Sequence, residues 1–139
     1  MAIDDPKPSA RPPRVLLVDD SAEGRRALAK LLETKGYDVV AVGTGQAALE
    51  AMQQMPPPEI VLTDIQLPDI DGREVAQAAR LLVPTPYIAL ITGWSLDAQL
   101  RDPAHLGVHG IFLKPIRLEE LLAELTQALG KPRTTDGSA

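Results

Sequence analysis

A chain of 139 residues is long enough for one domain with a real core, and for no more than one. A net charge of −5 with no run of Lys or Arg argues against a nucleic-acid surface, and the absence of cysteine excludes disulfides and thiolate chemistry. Hydrophobic residues make up 45% of the chain but only four are aromatic (Tyr37, Tyr87, Trp94 and Phe112), so the core must be aliphatic.

Residues 1–13 hold four prolines and almost nothing to bury, which predicts a disordered arm. No apolar run approaches a membrane span and no basic-then-apolar leader pattern is present, so a cytoplasmic location is the default expectation. Val15-Leu16-Leu17-Val18 has no polar alternation and predicts a strand buried on both faces, ending in Asp19 and Asp20. Ser21 or Asp20 can cap a helix whose stripe is Leu28, Leu31 and Leu32, with Gly36 as its stop. Tyr37 to Val42 predicts a second strand. Thr44 can cap a helix with Ala48, Ala51, Met52 and Met55 on one face, which Pro56-Pro57-Pro58 ends.

The third strand, Ile60-Val61-Leu62, leads to Asp64 and then to a loop rich in turn residues, Pro68, Asp69, Asp71 and Gly72. A helix with the face Val75, Ala78, Ala79 and Leu82 resumes at Arg73. Tyr87 to Ile91 predicts a fourth strand, ending at Thr92-Gly93. Residues 95–106 read as weakly helical, and Pro103 cannot sit inside a regular helix without losing a hydrogen bond. Ile111-Phe112-Leu113 predicts a short fifth strand leading to Lys114-Pro115. A last helix carries Leu118, Leu121, Leu122, Leu125 and Leu129 and stops at Gly130. Residues 131–139 read as a flexible polar tail, so the folded domain is expected over 14–130.

Strand and helix alternate five times, which calls for an α/β fold: a five-stranded parallel sheet with helices on both faces. The more polar flanks of the second strand put it at an edge, as in the flavodoxin-like order 2-1-3-4-5. Every strand then delivers its carboxyl end to one edge of the sheet. Asp19 and Asp20, Asp64, Thr92 and Lys114 meet there. Taken singly, each has a bland reading as a helix cap, a strand end or a solvated lysine. Together they do not, because carboxylates about 4–5 Å apart repel by roughly 4 kcal/mol per pair at an effective dielectric of 20. A divalent cation relieves that repulsion. Oxygen ligands with room for water suit Mg²⁺ better than zinc, and His105 and His109 are the only histidines. A metal-bound carboxylate beside a lysine and a hydroxyl is an arrangement for phosphoryl transfer, with Asp64 as nucleophile and Asp19 and Asp20 holding the metal, the first through water.

From about Arg14 to Leu129 the chain resembles the receiver domain of two-component response regulators. The resemblance is carried by the acidic pair Asp19-Asp20, Asp64 within D-I-Q-L-P-D-I-D-G, Thr92 followed by a small residue, and Lys114-Pro115. It implies phosphotransfer to Asp64 from a histidine kinase or histidine phosphotransfer protein, with Mg²⁺ that also takes the backbone carbonyl of Gln66. It further implies a cis Lys114–Pro115 bond that turns the lysine toward the pocket, and a switch involving Thr92, the residue at 111 and Pro115. The L-I-T-G-W stretch is similar to receivers of hybrid sensor kinases.

The sequence departs from the family pattern twice. Ile111 stands where the family usually has a ring, and Pro103 interrupts the fourth helix. With no ring to swing, the movable element should be the segment 93–110, pulled by the Thr92 hydroxyl, with Trp94 at the pocket rim. No output domain follows, so the signal should leave by contact with another protein, unless the chain is a receiver cut from a longer one. Two other readings compete with this one. An interaction module that is not phosphorylated should have lost part of the five-residue set. A haloacid-dehalogenase-type phosphohydrolase usually carries D-x-D at its first strand and a cap insertion, where this chain has D-D and no room for a cap.

Overall fold

Val15 to Val18 lie wholly out of contact with water, as an unbroken apolar run inside a two-faced sheet should. The computed structural model describes residues 11–54, 56–93 and 103–130. Expectations placed on residues 1–10, Met55, 94–102 and 131–139, Trp94 among them, lie outside the described residues. The elements are β1 (Arg14–Val18), α1 (Ala22–Thr34), β2 (Asp38–Val42), α2 (Gly45–Gln54), β3 (Ile60–Asp64), α3 (Gly72–Arg80), β4 (Tyr87–Thr92), α4 (Pro103–Leu106), β5 (Gly110–Leu113) and α5 (Leu118–Leu129). All strand pairs are parallel, in the order β2-β1-β3-β4-β5, with β2 at an edge as expected. The register sets Val18 beside Thr63, Asp64 beside Ile91 and Thr92 beside Leu113, so the functional strand ends share one edge.

The pleat divides the core in two. Val15, Leu17, Ile60, Leu62, Ala89 and Ile91 face α1 and α5, where Leu28, Leu32, Leu121 and Leu125 meet them. Leu16, Val18, Val61, Ile88 and Leu90 face α2 and α3, against Ala48, Met52, Val75, Ala76 and Ala79. Each buried Leu, Ile or Val contributes about 1.5–3 kcal/mol relative to an exposed one, so these two layers hold the strand ends in place.

The local signals act as their chemistry predicts at most helix ends. Ser21 caps α1 by accepting from the Gly24 N–H, and the Thr44 hydroxyl accepts from the Ala47 N–H at 3.0 Å. Gly36, at φ 100°, and Gly130, at φ 82°, take the left-handed backbone that follows a helix.

Three expectations need correction. Leu31 is 45% exposed, because one step along a helix turns about 100° and only the Leu28–Leu32 line meets the sheet. Leu129 is 42% exposed, since the last turn of α5 overhangs the core. In α3 the buried face is Val75, Ala76 and Ala79, with Ala78 and Leu82 only half-buried. Pro103 is the first described residue of α4, and the helix expected to precede it, over 95–102, lies outside the described residues.

Candidate functional site

β1 ends at Val18, which makes Asp19 and Asp20 the first residues past the sheet edge. Asp19 turns inward and is 4% exposed, whereas Asp20 faces solvent. The Asp19 N–H donates to the Val42 carbonyl at 3.1 Å, and its Oδ1 accepts from the Ser21 N–H at 2.9 Å. Asp64, the last residue of β3, is 3% exposed, and Thr92, the last of β4, is 6% exposed. Lys114 follows β5, its N–H donating to the Thr92 carbonyl at 2.7 Å, and the Lys114–Pro115 bond is cis, as expected.

The lysine reaches back across the edge. Its Nζ stands 3.1 Å from Asp64 Oδ1, 3.2 Å from Asp64 Oδ2 and 3.5 Å from Asp19 Oδ1. Only the Oδ2 approach to Asp64 has hydrogen-bond geometry, so the buried Oδ1 has an ion-pair neighbour and no hydrogen bond. Burial, and then the hydrogen bond and charge of Asp19, push the Asp64 carboxyl up to about 7 against the opposing pull of Lys114. Burial alone would lower the Lys114 ammonium, but its contacts with Asp64 and Asp19 outweigh that and raise it.

Asp19, Asp20 and Asp64 each offer a carboxylate oxygen, all within 4.8 Å of one another. No other group of three acidic, His or Cys residues among the described residues could hold a metal ion. Hard oxygen donors, one of them a buried oxygen lacking a hydrogen bond, fit a divalent cation with water in its remaining positions. Asp20, Asp64, Gln66, Thr92, Gly93 and Lys114 line an open cleft of about 200 Å³ at this point. That is room for a small anion and a few waters. The sequence-predicted residues therefore meet, with two exceptions. Ile111 is half-buried on β5 against the α2/α3 side of the core, and Pro115 is exposed beside the lysine, so neither lines the cleft. His109 is also elsewhere, its Nδ1 accepting from the Ile88 N–H while the ring stacks on Tyr87.

Two supports were not found in the sequence. Asp69, from the β3–α3 loop, accepts from the N–H groups of Gly45 and Gln46 at 2.9 and 2.8 Å and so caps α2 from outside. Those bonds hold its carboxyl below the usual carboxylate range. Arg25 donates from Nη1 to the Asp19 carbonyl at 2.8 Å. No spacing rule links Asp69 to a helix 24 positions away. A helical arginine reads by default as a solvated charge.

The family model described as the response regulator receiver domain matches residues 15–126. The response regulator receiver protein CpdR of Brucella abortus is 35% identical over 84% of this chain and 96% of its own length. The sensor histidine kinase GacS of Pseudomonas protegens is 36% identical over 81% of this chain, which spans only 13% of that protein. Among solved structures, the response regulator protein TrrA of Thermotoga maritima, in complex with Mg²⁺ and BeF, superposes with a TM-score of 0.73 at 27% identity, covering 84% of this chain and 99% of that one. The fold, the convergence of strand ends and these likenesses agree: the chain belongs to the response regulator receiver domain family.

Proposed function

We propose that the protein is a phosphorylation-switched receiver that takes a phosphoryl group onto Asp64 from a phosphohistidine donor. The single observation that carries this reading is the Lys114 ammonium set against both oxygens of a buried Asp64, next to two further carboxylates. Asp64 Oδ1, the oxygen without a hydrogen bond, forms the new P–O bond as the donor's P–N bond breaks, and the imidazole nitrogen keeps the electron pair. Asp19, Asp20, Asp64 and the Gln66 carbonyl would hold a Mg²⁺, which when bound would supply positive charge for the phosphoryl oxygens. Lys114 neutralises a second side of the same group, and Thr92, which lines the cleft, offers it a hydroxyl. Water later cleaves the acyl phosphate, so the chain catalyses only its own loading and unloading.

A histidine kinase or histidine phosphotransfer protein is the donor on this reading, and a cytoplasmic location goes with it. Output passes through protein contact. The complete set of Asp19, Asp20, Asp64, Thr92 and Lys114 at one edge of the sheet favours this over an unphosphorylated interaction module. Beryllofluoride with Mg²⁺ tests it. Fluorine resonances of the bound anion should appear with wild type and vanish with Asp64→Asn, whereas a wild-type chain that binds none would favour the interaction module.

A further inference from the structure

We propose that Arg25 is a positioning residue for the acidic cluster, and that Gly43 is the seat that lets it act; the inference rests on the cation-dependent reading above. Arg25 lies in α1, half-buried, and its Nη1 donates to the Asp19 carbonyl at 2.8 Å. The same Nη1 stands 2.5 Å from where a Cβ on residue 43 would be. Gly43 is not among the glycines with positive φ, so its backbone does not call for glycine. The Arg25 guanidinium fills the space beside it, and a Cβ there would push that flexible end aside. One side chain thereby ties α1, the end of β1 and the loop after β2 together at Asp19.

The remaining restraints on the turn are few. The Asp19 N–H donates to the Val42 carbonyl, the Ser21 N–H to the Asp19 carboxylate, and Lys114 Nζ stands 3.5 Å from Asp19 Oδ1. Without Arg25 the Asp19 carbonyl loses a charged donor, and the Asp19-Asp20 turn loses its side-chain tie to the body of α1. Groups that orient metal ligands from behind are commonly worth about 10–100-fold in metal affinity. Charge alone points the other way, since removing a guanidinium near a cation site should strengthen cation binding. A loss of affinity is therefore a signature of positioning.

The test is a Mg²⁺ titration of the full chain, followed by amide NMR shifts of residues 19–21, for wild type, Arg25→Ala, Gly43→Ala and the double variant. Metal-free melting temperatures are measured alongside. Each single change should weaken Mg²⁺ about tenfold, and the double should be no weaker than Arg25→Ala. Single variants that melt lower but keep wild-type affinity would make Arg25 merely structural and overturn the proposal. Additive losses in the double variant would overturn the seat assigned to Gly43. Wild type that does not respond to Mg²⁺ would remove the cation reading itself, and this inference with it.

Discussion

Gly72 lies so close to Asp64 that a Cβ on residue 72 would overlap the Asp64 carbonyl oxygen. The Gly72 N–H also donates to the Ile65 carbonyl at 2.7 Å, which folds the seven-residue loop back onto the end of β3. Backbone sits on backbone here, with no flexible side chain to yield.

Gly72→Ala should accordingly cost about 1–3 kcal/mol by overpacking. The strain falls on the residue that carries the candidate nucleophile. We expect a melting temperature lower by roughly 3–10 °C and slower phosphoryl loading of Asp64. A variant with wild-type stability would show that the loop opens freely.

The raised Asp64 carboxyl gives the metal-free protein a defined pH dependence. Its folded pKa, about 7, lies above the ordinary carboxylate value of 3.8, so the folded state holds the extra proton between those two values. Stability from this group is fully present below about 4 and is lost as pH rises through 7, on the order of a few kcal/mol. In EDTA, denaturant unfolding should therefore show Asp64→Asn more stable than wild type at pH 8, with the gap closing toward pH 4. A pH-independent gap would contradict the burial and Asp19 repulsion assigned to the site.

Lys114 competes with a cation for the same carboxylate oxygens, standing 3.1 Å from Asp64 and 3.5 Å from Asp19. Lys114→Ala should thus separate two properties. Mg²⁺ should bind about three- to tenfold more tightly once the ammonium is gone. Phosphoryl loading should nevertheless slow by about 10²-fold, because a donor aimed at the transferring group is lost. Equal loss of both would mean that the lysine mainly holds the fold.

Helix α5 tests the packing account. Leu125 is fully buried and Leu129 is 42% exposed, although both continue one leucine stripe. Leu125→Ala should cost about 2–5 kcal/mol and Leu129→Ala under about 1 kcal/mol, read from denaturant midpoints. Comparable costs would place the helix end deeper than the structure does.

Much of this was legible in the sequence, for identifiable reasons. Runs such as Ile60-Val61-Leu62 need no partner to be read as a two-faced strand, and alternation with helices leaves few topologies. Once the order was 2-1-3-4-5, the meeting of Asp19, Asp64 and Lys114 followed from strand direction alone. The errors lie where a pattern is one residue wide. Leu31 sits 100° from Leu32, and only the docking angle of α1 decides which of them meets the sheet. Asp69 on α2 and Arg25 on the Asp19 carbonyl were hidden because each joins segments that only the finished fold brings together.

The central claim is that Asp64 is the phosphoacceptor, and intact mass spectrometry after acetyl phosphate and Mg²⁺ tests it most directly. The account predicts a gain of one phosphate on the wild-type chain, mapped to the peptide carrying Asp64, and no gain with Asp64→Asn. A wild-type chain left unmodified at saturating Mg²⁺, or an Asp64→Asn chain that still gains phosphate, would contradict it.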